Sequence, residues 1–126
     1  MIRVIGWDIG GANVKAARLL FTDRRAESGC AVRRYFELWN NAGSLRQPLK
    51  EIYGDLGPAD AIVVTMTGEL CDAFHDRVEG VAYIIDAVRE TAPGIPLYTI
   101  NLEGRLVRLG RGGGGTPYRC GDELDR

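Results

Sequence analysis

Apolar positions open the chain. Residues 2–7, Ile-Arg-Val-Ile-Gly-Trp, carry a single charge and predict a buried strand. Residues 13–21 have apolar positions whose spacing fits a strand and a stubby helix about equally. The turn signal Thr22-Asp23 closes that segment, and we read it as the second arm of a β-hairpin. Beyond a turn over residues 22–28, Val32, Arg34, Phe36 and Leu38 alternate with Arg33, Tyr35, Glu37 and Trp39. This predicts a third strand over residues 30–39, lying towards one edge of a sheet. Three strands joined by short turns make an antiparallel meander.

The period then lengthens. Ser44 is expected to open a helix in which Leu45, Leu49, Ile52 and Leu56 share one face. Ser44 with Gln47 has the spacing of a capping box; Gln47 as the cap ahead of Pro48 is the alternative. Gly57-Pro58 stops this helix. Residues 61–64, Ala-Ile-Val-Val, predict a central strand buried on both faces. A second helix over residues 79–92 takes Val81, Ile84, Ile85 and Val88 as its apolar stripe and ends at Pro93-Gly94. A strand over residues 95–100 follows, with Pro96 near its start where a lost N–H is tolerable. Residues 101–104 read as a turn, and residues 105–109 as one more segment able to pair. The order βββαβαβ, with both helices set between strands that can pair in parallel by right-handed crossovers, predicts an α/β fold built on a ribonuclease-H-like mixed sheet. From Gly110 the glycine run and scattered arginines have no apolar period. The expected organisation is a domain over residues 1–109 and a Gly/Arg-rich disordered tail over residues 110–126.

Composition narrows the function classes. A chain of 126 residues, 45% hydrophobic and 26% charged, is one ordinary globular domain by size and make-up. A net charge of −1 gives no reason to expect a nucleic-acid or anionic-membrane partner. No apolar run approaches the length of a membrane span, and Met1-Ile2-Arg3 enters a strand directly, unlike a signal peptide. Cys30, Cys71 and Cys120 lack metal-ligand spacing, and His75 is the only histidine. That argues against a zinc site and for a reduced, cytoplasmic setting, with Cys30 a small hydrophobe in its strand. Lys15 and Lys50 are the only lysines, which sharpens interest in Lys15.

The candidate chemistry gathers where the first strand ends. Asp8-Ile9-Gly10-Gly11-Ala12-Asn13-Val14-Lys15 sets a carboxylate, two adjacent glycines, an amide and a lysine into one corner. Two glycines let the backbone turn sharply and bring N–H groups close to a ligand. Successive N–H groups suit phosphate oxygens. Asp8 has the chemistry to hold a hydrated Mg²⁺, and Lys15 to neutralise phosphate as a point cation. A plain hairpin turn with a surface lysine is the simpler reading of the same residues. The P-loop pattern is absent, and the glycines do not make the Gly-x-Gly-x-x-Gly that opens a helix in dinucleotide sites. A second polar cluster, Thr65-Met66-Thr67-Gly68-Glu69, follows the predicted central strand. Ligands in open α/β sheets gather beyond the carboxyl ends of strands. The alternative is a helix N-terminus capped by Thr67 or Asp72.

Together, the strand, the Asp-Ile-Gly-Gly turn and the second strand resemble the first phosphate motif of the acetate and sugar kinase/Hsp70/actin superfamily. Residues 6–17, Gly-Trp-Asp-Ile-Gly-Gly-Ala-Asn-Val-Lys-Ala-Ala, are similar to the opening of a hydantoinase/oxoprolinase-related family whose members are tetrahydromethanopterin-linked C1-transfer-pathway proteins. Thr65-Met66-Thr67-Gly68-Glu69-Leu70, followed by Gly80-Val81, looks like its second hallmark. The resemblance runs from Met1 to about Val107. It implies the first lobe of an actin-like ATPase fold, and an enzyme related to a methanofuran-biosynthesis synthase that joins a phosphate-activated aminomethylfuran head to a glutamyl-tyramine tail.

Carried over, Asp8 would position Mg²⁺, with ATP or a pyrophosphorylated substrate. Gly10, Gly11 and Asn13 would cradle phosphate, Lys15 would offset its charge, and Thr67 and Gly68 would line the same cleft. Glu69 would serve as a metal-shell ligand or as a base on an amine. Arg77 departs from the family pattern, in which a lysine is expected upstream of the Gly-Val pair. The family's proteins place the ligand between two such domains. The chain is therefore expected to be the N-terminal half of a phosphate-handling transferase, taking a small-molecule phosphate ligand and partnered by a second domain or by self-association. An ATP-dependent kinase or ATPase of the same superfamily, and a non-catalytic domain pairing with a separately encoded second half, are the alternatives.

Overall fold

The structure is a computed structural model; it describes residues 1–68, 71, 73–101 and 103–110. Strands β1 (Ile2–Ile9), β2 (Asn13–Thr22) and β3 (Arg25–Tyr35) come first, and then the short helix α1 (Leu38–Asn41). A single 3₁₀ turn, Ala42–Ser44, leads into α2 (Arg46–Leu56). The chain continues through β4 (Ala61–Met66), α3 (Arg77–Thr91), β5 (Leu97–Ile100) and β6 (Leu106–Arg108). The six strands form one sheet in the order β3-β2-β1-β4-β5-β6. β1 pairs antiparallel with β2 and parallel with β4, and β4 pairs parallel with β5. Residues 13–21 are thus a strand, and the hairpin reading holds.

All the buried strand residues share one face. Ile5, Trp7 and Ile9 of β1, Val14 and Ala16 of β2, Ile62 and Val64 of β4, and Leu97 of β5 meet Leu49 and Ile52 of α2 and Val81, Ile84, Ile85 and Val88 of α3 in a single core. The alternate residues Asp8, Ala61, Val63 and Thr65 are half-buried or exposed on the other face. The expectation that residues 61–64 are buried on both faces is therefore corrected. β4 is central, but both helices lie on one side of it.

Other boundaries shift for identifiable reasons. The β2–β3 turn needs only Asp23 and Arg24, at φ 49° and 66°, and Thr22 already pairs with Arg25. Two successive left-handed residues match the twist of a hairpin, so β3 begins well before residue 30. Its far end is cut short because the Phe36 and Leu38 N–H groups donate to Ala12 O (3.0 Å) and Gly11 O (2.9 Å). Leu38 then turns fully into the core instead of continuing the alternation. Cys30 lies in β3 but is exposed, against expectation, because β3 is an edge strand and α2 meets it only farther along, where Arg34 pairs with Glu51 and Val32 packs on the core.

Leu45, Leu49, Ile52 and Leu56 are buried along α2 as their spacing requires. Neither proposed cap acts: the 3₁₀ turn runs directly into the helix, Leu45 stands at the cap position, and no side chain bonds there. At the other end, Gly57 N–H donates to Tyr53 O at 2.7 Å. Helix α3 starts at Arg77, two residues earlier than expected, because Asp76 Oδ1 accepts from Glu79 N–H at 2.8 Å. Glu79 in turn accepts from His75 N–H at 2.9 Å. Thr67 is therefore not the cap of this helix, and Asp72 lies outside the described residues. β6 falls within residues 105–109, the segment read as able to pair, and makes a sixth strand antiparallel to β5. The turn before it is built by Asn101, whose Oδ1 accepts from Glu103 N–H (3.0 Å) and Arg105 N–H (2.9 Å).

Candidate functional site

The site begins at the carboxyl ends of the parallel pair β1 and β4. Asp8 stands on the open face of β1, beside Thr65 of β4 on one side and opposite Lys15 of β2 on the other. Lys15 Nζ is 3.8 Å from Asp8 Oδ2, and both side chains are about half exposed, at 52% and 49%. Beyond Ile9 the chain reverses through Gly10, Gly11 and Ala12. Gly10 N–H donates to Asn13 O at 2.9 Å, while the carbonyls of Gly11 and Ala12 are taken by Leu38 and Phe36. The turn is thus pinned by its carbonyl groups. Among the described residues, the N–H groups of Gly11 and Ala12 have no hydrogen-bond partner. Two successive free donors beside a lysine make a cradle for an oxyanion.

The loop after β4 closes on this turn. Thr67 N–H donates to Ile9 O at 3.0 Å, and Gly68 is packed so tightly that a Cβ there would lie 3.2 Å from the carbonyl oxygens of both Ile9 and Gly10. A Cβ on Gly10 would lie 3.6 Å from Thr67 Oγ1, so the exposed Thr67 hydroxyl stands beside the glycine turn. Parallel pairing of β1 with β4 brings together two segments nearly sixty residues apart. Asp8, Gly10, Gly11, Asn13, Lys15, Thr67 and Gly68 therefore gather at one edge of the sheet. Glu69, the eighth site residue expected from the sequence, lies outside the described residues.

Two neighbours were not among the site residues expected from the sequence. Cys71 comes within 3.8 Å of a Cβ on Gly11 and donates its N–H to Gly68 O at 3.1 Å. Arg33 of β3 pairs with Lys15 in register, and its Nε donates to Asn13 Oδ1 at 3.2 Å. Strand alternation marked which face Arg33 shares, but not which residue it would stand against.

Among the described residues, a metal would find one carboxylate here, that of Asp8. No group of three or more His, Cys, Asp or Glu side chains suited to a metal occurs among the described residues. That donor set fits Mg²⁺ arriving with a phosphate ligand, since Mg²⁺ binds through one or two carboxylates plus substrate phosphates and water.

No protein-family model matches the chain. Over 106 residues it is 34% identical to (4-{4-[2-(gamma-L-glutamylamino)ethyl]phenoxymethyl}furan-2-yl)methanamine synthase of Methanocaldococcus jannaschii, a match covering 84% of this chain and 29% of that protein. The chain thus spans less than a third of the relative's length. Among solved structures, it resembles T. thermophilus RuvC in complex with Holliday junction substrate, with a TM-score of 0.52 at 18% identity over 82% of this chain and 66% of that one. It also resembles the Aquifex aeolicus member of the Ppx/GppA protein family, with a TM-score of 0.50 at 16% identity over 82% of this chain and 37% of that one. The fold is the expected one, a ribonuclease-H-like mixed sheet of the kind that also forms a lobe of actin-like proteins.

One expectation is overturned. Net charge argued against a nucleic-acid partner, yet RuvC carries this fold and its structure is a complex with a Holliday junction. A whole-chain sum of charges does not describe the local field that a nucleic acid meets, so that exclusion is withdrawn. No helix among the described residues is long and apolar enough to cross a membrane.

Proposed function

We propose that this chain supplies the phosphate-handling part of a transferase in C1-carrier cofactor biosynthesis, a methanofuran-type synthase within the hydantoinase/oxoprolinase-related family. The observation that carries the reading is the pair of free N–H groups at Gly11 and Ala12, set beside Lys15 and Asp8 where β1 and β4 end. The similarity to the M. jannaschii synthase supports the same class of chemistry.

In this reading the Gly11 and Ala12 N–H groups hold phosphate oxygens, and Thr67 donates its hydroxyl from the facing loop. Gly68 allows that loop to approach the turn. Lys15 moves from Asp8 to the phosphate, which frees Asp8 for the accompanying cation. Mg²⁺, when bound, would neutralise charge building on the phosphate leaving group. The protein's own contribution is position and charge, which favour departure of a phosphate leaving group.

The test is titration of the full chain with Mg-pyrophosphate and with Mg-ATP, followed by amide chemical shifts. Shifts centred on Gly10, Gly11, Ala12 and Thr67, lost in Lys15→Gln, support the reading. The exposed corner predicts weak binding, with a Kd on the order of 1 mM. A clear preference for ATP would favour a kinase or ATPase over a pyrophosphate-ester transferase. Shifts that bypass these amides would overturn the assignment.

A further inference from the structure

Asp8, Lys15 and Arg33 stand in one row across β1, β2 and β3, since Asp8 pairs with Lys15 and Lys15 with Arg33. One carboxylate thus faces two cations. Like charges directly opposite each other on neighbouring strands destabilise a sheet. Three arginines of this chain hold carboxylates, Arg3 with Asp60, Arg34 with Glu51 and Arg46 with Glu90, and Arg18 donates to the Leu56 carbonyl. Arg33 is different. Its hydrogen bond is to the neutral amide of Asn13, and among the described residues it has no carboxylate partner. That bond uses Nε only and leaves the terminal nitrogens for another acceptor.

There is room beside this row. Gly6, Ala17 and Ala31 pair across the same three strands. With Asp8, Lys15 and Arg33 they line an open cavity of about 380 Å³. Among the described residues, nothing lies within 4 Å of where a Cβ on Gly6 would stand. A planar guanidinium with a lysine beside it suits an oxyanion, held in part by paired N–H···O bonds.

We propose that Arg33 and Lys15 form an oxyanion subsite on the open face of the sheet, for a ligand whose apolar body lies over Gly6, Ala17 and Ala31. It rests on the phosphate-corner reading only through Lys15, which the two sites share. Arg33 belongs to the subsite alone, one strand farther from the glycine turn. The site recognises an aryl or alkyl oxyanion, either a carboxylate or a phosphate monoester.

The experiment titrates the full chain with orthophosphate, phenyl phosphate and benzoate, following the backbone amides and Arg33 Nε–H. The expected result is that phenyl phosphate binds more tightly than orthophosphate and shifts Ala17, Ala31 and Arg33. Arg33→Gln should then weaken phenyl phosphate about tenfold, the loss expected for one charge-assisted contact. Shifts at the glycine turn with orthophosphate should persist in that variant. Ala17→Leu, which fills the cavity, should remove the preference for the aryl ligand. Benzoate binding as well as phenyl phosphate would identify a carboxylate site, and phenyl phosphate alone a phosphate-ester site. Unchanged phenyl phosphate binding in Arg33→Gln, or shifts confined to the glycine turn, would overturn the subsite and leave the phosphate corner standing. Silence at both places with every probe would overturn both.

Discussion

A Cβ placed on Gly68 would lie 2.5 Å from Leu38 Cδ2, a side chain that is itself completely buried. The same atom would press within 3.2 Å of the Ile9 and Gly10 carbonyl oxygens. Leu38 cannot yield without disturbing the core, and the backbone of the glycine turn cannot yield without moving the site. Gly68→Ala is therefore expected to cost about 1–3 kcal/mol, the usual range for overpacking. Urea denaturation beside Gly43→Ala, where nothing among the described residues lies within 4 Å, measures it. Equal midpoints for the two variants would show that the loop does not pack on the turn as described.

Gly11→Ala separates ligand access from stability. Gly11 does not have a positive φ, and among the described residues its Cβ would meet only Cys71 Cβ, at an ordinary 3.8 Å. Stability should change by less than about 1 kcal/mol, because alanine restricts the unfolded chain without straining the folded one. Phosphate binding should weaken, because the added methyl stands beside the free donors. A large drop in Tm with binding intact would reverse both halves of this expectation.

Arg24 sits at φ 66°, where a residue bearing a Cβ is strained. Preceded by Asp23, also left-handed, it occupies the second place of a two-residue hairpin turn, where glycine is preferred. Arg24→Gly should stabilise the protein by about 1 kcal/mol. The gain should appear in thermal unfolding with no change in ligand affinity, since the turn lies at the opposite end of β2 from Asn13. Destabilisation would mean that the arginine side chain makes a contact worth more than the backbone strain.

Acidification should remove stability through Asp60 and Glu90. The Arg3 backbone N–H, 2.8 Å from Asp60 Oδ2, and then the Arg3 side chain hold the Asp60 carboxyl below its ordinary range. The hydrogen bond from Arg46 does the same for Glu90. A depressed folded-state value means that the stabilisation is present above the unfolded pKa and is lost as pH falls through the folded one. The fall in Tm between about pH 6 and about pH 3 should be smaller in Asp60→Asn than in the parent chain. Both groups are solvent-exposed, so each effect should be modest and weaken with added salt.

Local patterns in the chain are enough for most of the elements and for half of the site. Leu45, Leu49, Ile52 and Leu56 announce α2 because a helix of that period must bury one stripe, and all four are buried. The Asp-Ile-Gly-Gly corner is legible because its chemistry is carried by consecutive residues. Boundaries set by a distant partner are not legible in this way. β3 stops at Tyr35 because the next backbone groups bond to the glycine turn, and no property of residues 36–38 states that.

Face and register belong to the tertiary structure. An apolar strand over residues 61–64, and another that Asp8 ends, are readable along the chain, but an apolar run is silent about how many of its faces are covered. Only the placement of both helices on one side left Asp8, Lys15 and Arg33 together in the open. Their alignment depends on pairing distances along three strands, which a two-residue alternation specifies only up to a slip of register. The approach of Thr67 and Gly68 to Gly10 likewise required β4 to lie parallel beside β1, a choice made by the packing of the whole sheet and not by either segment alone.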